Sequence, residues 1–350
     1  VESAPGIASA SALQISANMT DAATEAAPTM PDLSTEAGCS CGANNNDLGA
    51  PGVGAPGAPA TLSTLAQYLN DSDAAPDDFW DEFGVSQSPF FNVTSSGTNA
   101  KSGVIHYNVT GFSGISGAGT DSNGISAARA DMIRHALNVY EDILGINFSE
   151  TTSTDPNVVD IYFKDNVFTS GGGNRAFANF EQGGDGSISH SWVNITPGWD
   201  SSQSAIGTYA FQTALHEIGH VLGLGHQGLY NAGSGSPTYQ DAYWQNDSWQ
   251  QTMMSYWSQT QNTDITASYA RLIGPMAVDW LALENLYGGQ GYGVANGATV
   301  SNTTWGFNST WSDWTPTSSG PAFGYSNTAY ASLDTMLDTN AVSIVDGGGI

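Results

Sequence analysis

His216, Glu217, His220, Gly223 and His226 fall within eleven consecutive residues, in the register H-E-x-x-H-x-x-G-x-x-H. Residues four apart on an α-helix lie one above the other, so His216 and His220 offer two imidazoles to one point, with Glu217 beside them. A helix continued to His226 would carry the third ring to the wrong side. Gly223 can take the left-handed conformation that ends a helix, and the chain then turns His226 back toward the other two. Three nitrogen ligands leave one tetrahedral vertex of a zinc ion to water, which marks a catalytic rather than a structural zinc. Water held there ionises near neutral pH and Glu217 is placed to take its proton, so the pattern predicts hydrolysis. The bland alternative, a buried helix carrying scattered histidines, has little room in a chain with 6 His among 350 residues.

Several elements that must position these side chains are legible. Residues 104–109 alternate apolar and polar as a half-buried strand does, and 158–163, 176–180 and 187–195 read as further strands, the last two separated by a glycine-rich turn at 183–186. Residues 125–144 place Ile125, Ala128, Met132, Ile133, Ala136, Leu137, Tyr140 and Leu144 at mostly helical spacing, and Gly145 stops that helix. The motif helix begins near Thr208. After Gly223 the chain is rich in Gly, Ser, Tyr, Trp and Gln, with little regular pattern, until a final helix predicted over 275–287. Pro275 would stand in its first turn and Gly288 just past its end. Met276, Trp280, Leu283 and Leu286 give that helix an apolar side.

Downstream of the motif, Met254, Ser255, Tyr256 and Trp257 stand in a polar stretch without helical periodicity. This run, following the histidine motif, resembles the metzincin metalloproteases and, within them, the serralysins, which are secreted bacterial zinc proteases. The resemblance covers about Gly103 to Tyr287 and continues more weakly beyond; the ending Leu286, Tyr287, Gly288 also matches the family. It implies a metzincin catalytic domain of the α/β (α+β) class: a twisted mixed sheet, a long zinc helix and an irregular lower lobe, followed by the start of a β-rich C-terminal domain. It implies zinc on His216, His220 and His226, with Tyr256 as a resting ligand that moves away to stabilise the tetrahedral intermediate. Met254 takes the place of the methionine packed under the histidines. On the upper rim of the cleft the resemblance puts an edge strand that pairs antiparallel with an extended polypeptide, here Ala176, Phe177, Ala178, Asn179 and Phe180. Backbone pairing of that kind implies broad specificity. The competing reading of those five residues is an ordinary internal strand.

Composition narrows the partners. With 33 acidic and 6 basic residues, a formal charge of -27 and a pI near 4.1, the chain cannot neutralise nucleic-acid phosphates. The acidic excess favours solubility, divalent cations or salty surroundings. No apolar run is long enough to span a membrane, and no basic-then-apolar leader follows Val1. The expected partners are therefore protein or peptide substrates, with no nucleic acid and no membrane span, for a monomer. The resemblance implies an extracellular bacterial enzyme exported by a signal at the extreme C-terminus, a signal missing from this chain.

Three domains are expected: a leader over 1–60, the catalytic domain over 61–288, and an incomplete β-roll-like region over 289–350. The leader is rich in Ala, Ser, Gly and Pro with no aromatic residue before Tyr68, a composition that cannot bury a core. By resemblance it is a propeptide, making the chain a zymogen. It holds the only cysteines, Cys39 and Cys41; either one thiolate blocks the open zinc vertex as a cysteine switch, or the pair is incidental. Beyond residue 288 the resemblance implies calcium-binding nonapeptide repeats, but no complete repeat is present, and Asp346 reads either as a calcium ligand or as a turn residue. Two alternatives to a zinc endopeptidase are a catalytically silent, calcium-dependent surface or matrix protein and a hydrolase of a non-peptide substrate.

Overall fold

The computed structural model describes residues 19–21, 56–70, 79–82, 85, 87–97, 100–166, 176–199, 206–228, 230, 238–297 and 340–344. Its elements run β1 (Met19–Asp21), α1 (Leu62–Asn70), α2 (Phe79–Glu82), β2 (Val104–Asn108), β3 (Phe112–Ile115), β4 (Gly119–Asp121), α3 (Ala127–Leu144) and β5 (Asn147–Glu150). They continue with β6 (Ile161–Lys164), β7 (Ala176–Gln182), β8 (Ile188–Ile195), α4 (Tyr209–Val221), β9 (Arg271–Leu272), α5 (Ala277–Tyr287) and β10 (Asn340–Ala341). The main sheet has the order β1-β7-β8-β6-β2-β5. Strands β8, β6, β2 and β5 are parallel; β7 runs antiparallel to β8, and β1 antiparallel to β7. The mixed sheet and α/β class expected from the sequence are present.

One face of the sheet packs against α3 and α4. Ile105, Ile161, Phe163, Ala178, Phe180 and Val193 meet Met132, Ile133, Ala136, Leu215 and Ile218 there, all buried. Helix α3 is bounded as its sequence dictates: the Ser126 hydroxyl accepts from the Arg129 N–H, and the Gly145 N–H donates to the Glu141 carbonyl. The opposite face is closed by the β3–β4 hairpin. Phe112, Ile115 and Ala118 lie over Tyr162, Phe177 and Trp192, so β7 is covered on both faces: Ala176, Ala178 and Phe180 toward the helices, Phe177 toward the hairpin.

Two boundaries differ from expectation for local reasons. The strand predicted from residue 158 starts at Ile161, because Val158 and Val159 both donate to the Asp155 carbonyl in a turn that Asp155 also tightens through Asn157. The last helix starts at Ala277, so Pro275 lies outside it; the Asp279 carboxylate takes the Met276 N–H and fixes Met276 as the cap residue. Gly288 does not close that helix in a left-handed turn. It keeps right-handed angles and opens a short 3-10 turn over Gly288–Gln290. The hairpin, α1, α2 and β5 were not anticipated. Of the C-terminal region, β10 lies parallel to β9, with Asn340 opposite Arg271. Cys39, Cys41 and Asp346 lie outside the described residues.

Candidate metal centre and active site

Helix α4 is capped by Thr208, whose hydroxyl accepts from the Phe211 N–H, and it carries His216, Glu217 and His220 into a fully enclosed interior. It ends at Val221. Gly223 then adopts φ of 105°, and a Cβ there would sit 2.2 Å from the Pro89 carbonyl oxygen, so both conformation and space demand glycine. The turn lets Leu224 donate back to the Gly219 carbonyl and returns His226 to the helix.

The three imidazoles converge. His226 Nε2 lies 3.3 Å from His216 Nε2 and 3.1 Å from His220 Nε2. A tetrahedral zinc with nitrogen ligands at about 2.0–2.1 Å requires ligand atoms roughly 3.3 Å apart, which these separations meet. Each opposite ring nitrogen meets a backbone carbonyl: His216 Nδ1 at Met253 (2.8 Å), His220 Nδ1 at Leu224 (2.7 Å) and His226 Nδ1 at Tyr230 (2.9 Å). A carbonyl only accepts, so each Nδ1 must carry the proton and each Nε2 must present a lone pair. Three lone pairs aimed at one point repel unless a cation lies between them. His216, His220 and His226 also form the one group among the described residues whose His, Cys, Asp or Glu donors could jointly hold a metal.

Beneath the histidines, Met253 and Met254 are buried. A Cβ on Gly219 would come within 2.9 Å of both the Met253 Cε and the Met254 Sδ, so a residue that weakens the helix interior is what lets the methionine loop approach. Asp279 on α5 holds that loop. Its Oδ1 takes the Thr252 hydroxyl, and its Oδ2 takes the Met253 N–H at 2.9 Å and the Met276 N–H at 2.7 Å. Burial pushes the Asp279 carboxyl up to about 6, against the pull of those donors. Asp279 was not anticipated from the sequence, although an acidic residue three places into a helix is a recognisable capping signal.

Tyr256 is half-buried, with its ring centroid 4.6 Å from His226 and 4.7 Å from Tyr230. Tyr230 donates its hydroxyl to Asp247 at 2.9 Å, and burial raises both groups, Asp247 to about 7. Phe79 forms a second wall that was not anticipated: fully buried, its ring is 4.6 Å from His226 and 6.1 Å from His220. A Cβ on Gly225 would stand 2.6 Å from the Phe79 ring, so Gly225→Ala must displace that wall. The expected result is an intact fold with zinc affinity lowered about tenfold, read by chelator competition. Unchanged affinity would mean that Phe79 does not position the rings. Ala176, Phe177, Ala178, Asn179 and Phe180 lie in β7, beside α4, with β1 on their outer side.

The matrixin family matches residues 118–242, a span that begins just before β4 and includes the whole histidine motif. Metallopeptidase AprA of Pseudomonas marginalis is 30% identical over 279 residues, covering 74% of this chain and 47% of that protein. Metalloprotease AprA of Pseudomonas entomophila is 36% identical over 206 residues, covering 55% of this chain and 39% of that protein. Serralysin A of Dickeya chrysanthemi is 36% identical over 249 residues, covering 64% of this chain and 48% of that protein. These matches support a serralysin-type metzincin. The family implies a catalytic zinc, and the His216, His220 and His226 cluster fits it. This serralysin-type chain spans about half the length, or less, of the curated relatives it matches. No helix among its described residues is long and apolar enough to cross a membrane.

Proposed function

We propose that the chain is a zinc endopeptidase acting on extended polypeptides. The observation that carries this reading is the convergence of three Nε2 atoms whose Nδ1 partners are all backbone carbonyls. Bound there, zinc would polarise a water molecule and the scissile carbonyl. Glu217, one residue from His216 and wholly shielded from solvent, takes the proton from the attacking water and passes it to the leaving amine. Tyr256, beside His226, supplies a phenol to the developing oxyanion and serves as a metal ligand in the resting state. Met254 and its neighbour Met253 form the floor below the rings. Ala176 to Phe180 are the strand segment that would hold substrate extended, although β1 pairs with Ala176 to Ala178 on its outer side.

The same reading makes calcium a structural ion and the protein extracellular, working as a monomer. A silent surface protein is disfavoured, because such a role gives no reason to pin three imidazoles in one tautomer. Removing zinc with a chelator should abolish casein cleavage, and one equivalent of zinc should restore it. Full activity in the metal-free protein would refute the proposal.

A further inference from the structure

Tyr230 touches both loops that meet at the metal centre. Its carbonyl accepts from His226 Nδ1 at 2.9 Å, and its ring stacks on that imidazole, with 5.5 Å between centroids and 20° between planes. On the side of the methionine loop the same ring lies 4.7 Å from Tyr256 and 5.2 Å from Trp257. Ring packing tolerates separations of about 4.5–7 Å, so by itself it does not set how deep Tyr230 sits. The hydroxyl does set it, by donating to Asp247 Oδ2 at 2.9 Å. Asp247 is a fixed post for that bond. It has no exposed surface, its N–H donates to the Trp244 carbonyl at 3.1 Å, and its own carbonyl accepts from the Asn262 amide at 2.9 Å. Burial and then the Asp247 charge hold the Tyr230 hydroxyl well above its usual value. The Ser255 hydroxyl and the Tyr256 N–H, which face the same oxygen, pull the other way. That one oxygen is therefore where the loop of the third histidine, the methionine loop and Asp247 meet.

Building on the zinc peptidase reading, we propose that Asp247 is a positioning residue of the metal centre: by taking the Tyr230 hydroxyl it sets the depth of Tyr230 and so holds His226 and Tyr256 in one relation to each other. The other two carbonyls that orient the rings have anchors of their own. Met253 is held by Asp279, which takes its N–H, and Leu224 by its N–H on the Gly219 carbonyl. For Tyr230 the anchor is its side chain. Enclosing a carboxylate among aromatic rings is costly unless a bond it makes compensates, and apolar packing alone would not call for one. What the carboxylate adds is direction, since a hydrogen bond fixes both distance and angle where ring contacts fix neither.

The test uses the full chain. Tyr230→Phe keeps the ring and the carbonyl and removes only the hydroxyl, whereas Asp247→Ala removes the acceptor. Each should lower zinc affinity roughly tenfold in chelator competition, and each should alter the visible spectrum of the cobalt-substituted protein, which reports the geometry around the metal. The double variant should lose no more than either single one, because both break the same bond. Asp247→Asn, whose amide oxygen still accepts from the phenol, should restore affinity and spectrum. A merely structural role would lower Tm while leaving affinity and spectrum at the parent values. That result, or losses that add in the double variant, would overturn the proposal and leave the peptidase reading intact. If Asp247→Ala does not fold, Tyr230→Phe decides between these outcomes alone. A parent chain that shows this coupling yet cleaves no casein would overturn the peptidase reading and leave Asp247 its place at the metal.

Discussion

Glu217→Ala is expected to abolish casein cleavage while leaving zinc bound. The carboxylate is enclosed, with no exposed surface, and follows directly on a ligand residue, but it is not needed to hold the ion, because the three rings are set by the carbonyls of Met253, Leu224 and Tyr230. Positioned acid–base groups contribute about 10²–10⁴-fold to rate. The loss should therefore fall in kcat by at least about a hundredfold, with zinc stoichiometry and thermal stability near those of the parent chain. Measuring kcat and bound zinc on the same preparation separates the two possibilities. A mutant that loses zinc would make Glu217 a structural residue, and a mutant of unchanged kcat would remove it from the chemistry.

Asp279→Ala should have the largest effect on stability. It would leave the Thr252 hydroxyl and the Met253 and Met276 N–H groups without their acceptor in a site closed to water. Stranding such donors costs about 1–3 kcal/mol each before relaxation, so a total near 3 kcal/mol or more is expected, roughly 6–12 °C in Tm for a domain of this size. The Met253 carbonyl also orients His216, so zinc affinity should fall with stability. Asp279→Asn should recover most of both. Its amide oxygen can take the two N–H groups, and the Thr252 hydroxyl can reverse to accept from the amide nitrogen. The pH dependence has a defined sign. Because burial raises the folded-state value from 3.8 to about 6, folding binds a proton, and stability from this group is greatest at low pH and declines as pH rises from about 4 to 6. Thermal melts of the parent and the Asn variant across that range should converge at the acid end and separate above it. Parallel curves would contradict the assignment.

The metal centre was legible because its information is local. One helical period, one glycine and eleven residues determine where His216, His220 and His226 point. Strand β2 was legible from alternation, β7 and β8 as short runs on either side of a glycine-rich turn, and α3 from its periodicity and Gly145. What escaped detection depends on contacts distant in sequence. Phe79 reaches His226 across 147 positions and gives no periodic signal in a four-residue helix. The carboxylate of Asp279 acts on a loop some 26 residues upstream. The β1 strand is three residues long within a stretch rich in Ala, Ser, Gly and Pro, and its pairing is made by backbone groups that every residue possesses. The hairpin of β3 and β4 carries glycine at 114, 117 and 119, which weakens strand propensity, and only the exposed apolar face of the sheet explains why it settles there.

The coordination of the metal itself tests the central claim most directly. X-ray absorption at the zinc edge, on purified chain with its metal content determined, should report about one zinc per chain with three imidazole nitrogens at about 2.0–2.1 Å and the remaining ligation from oxygen. A sulfur ligand, fewer than three imidazoles, or protein that cleaves casein without any bound zinc would contradict it.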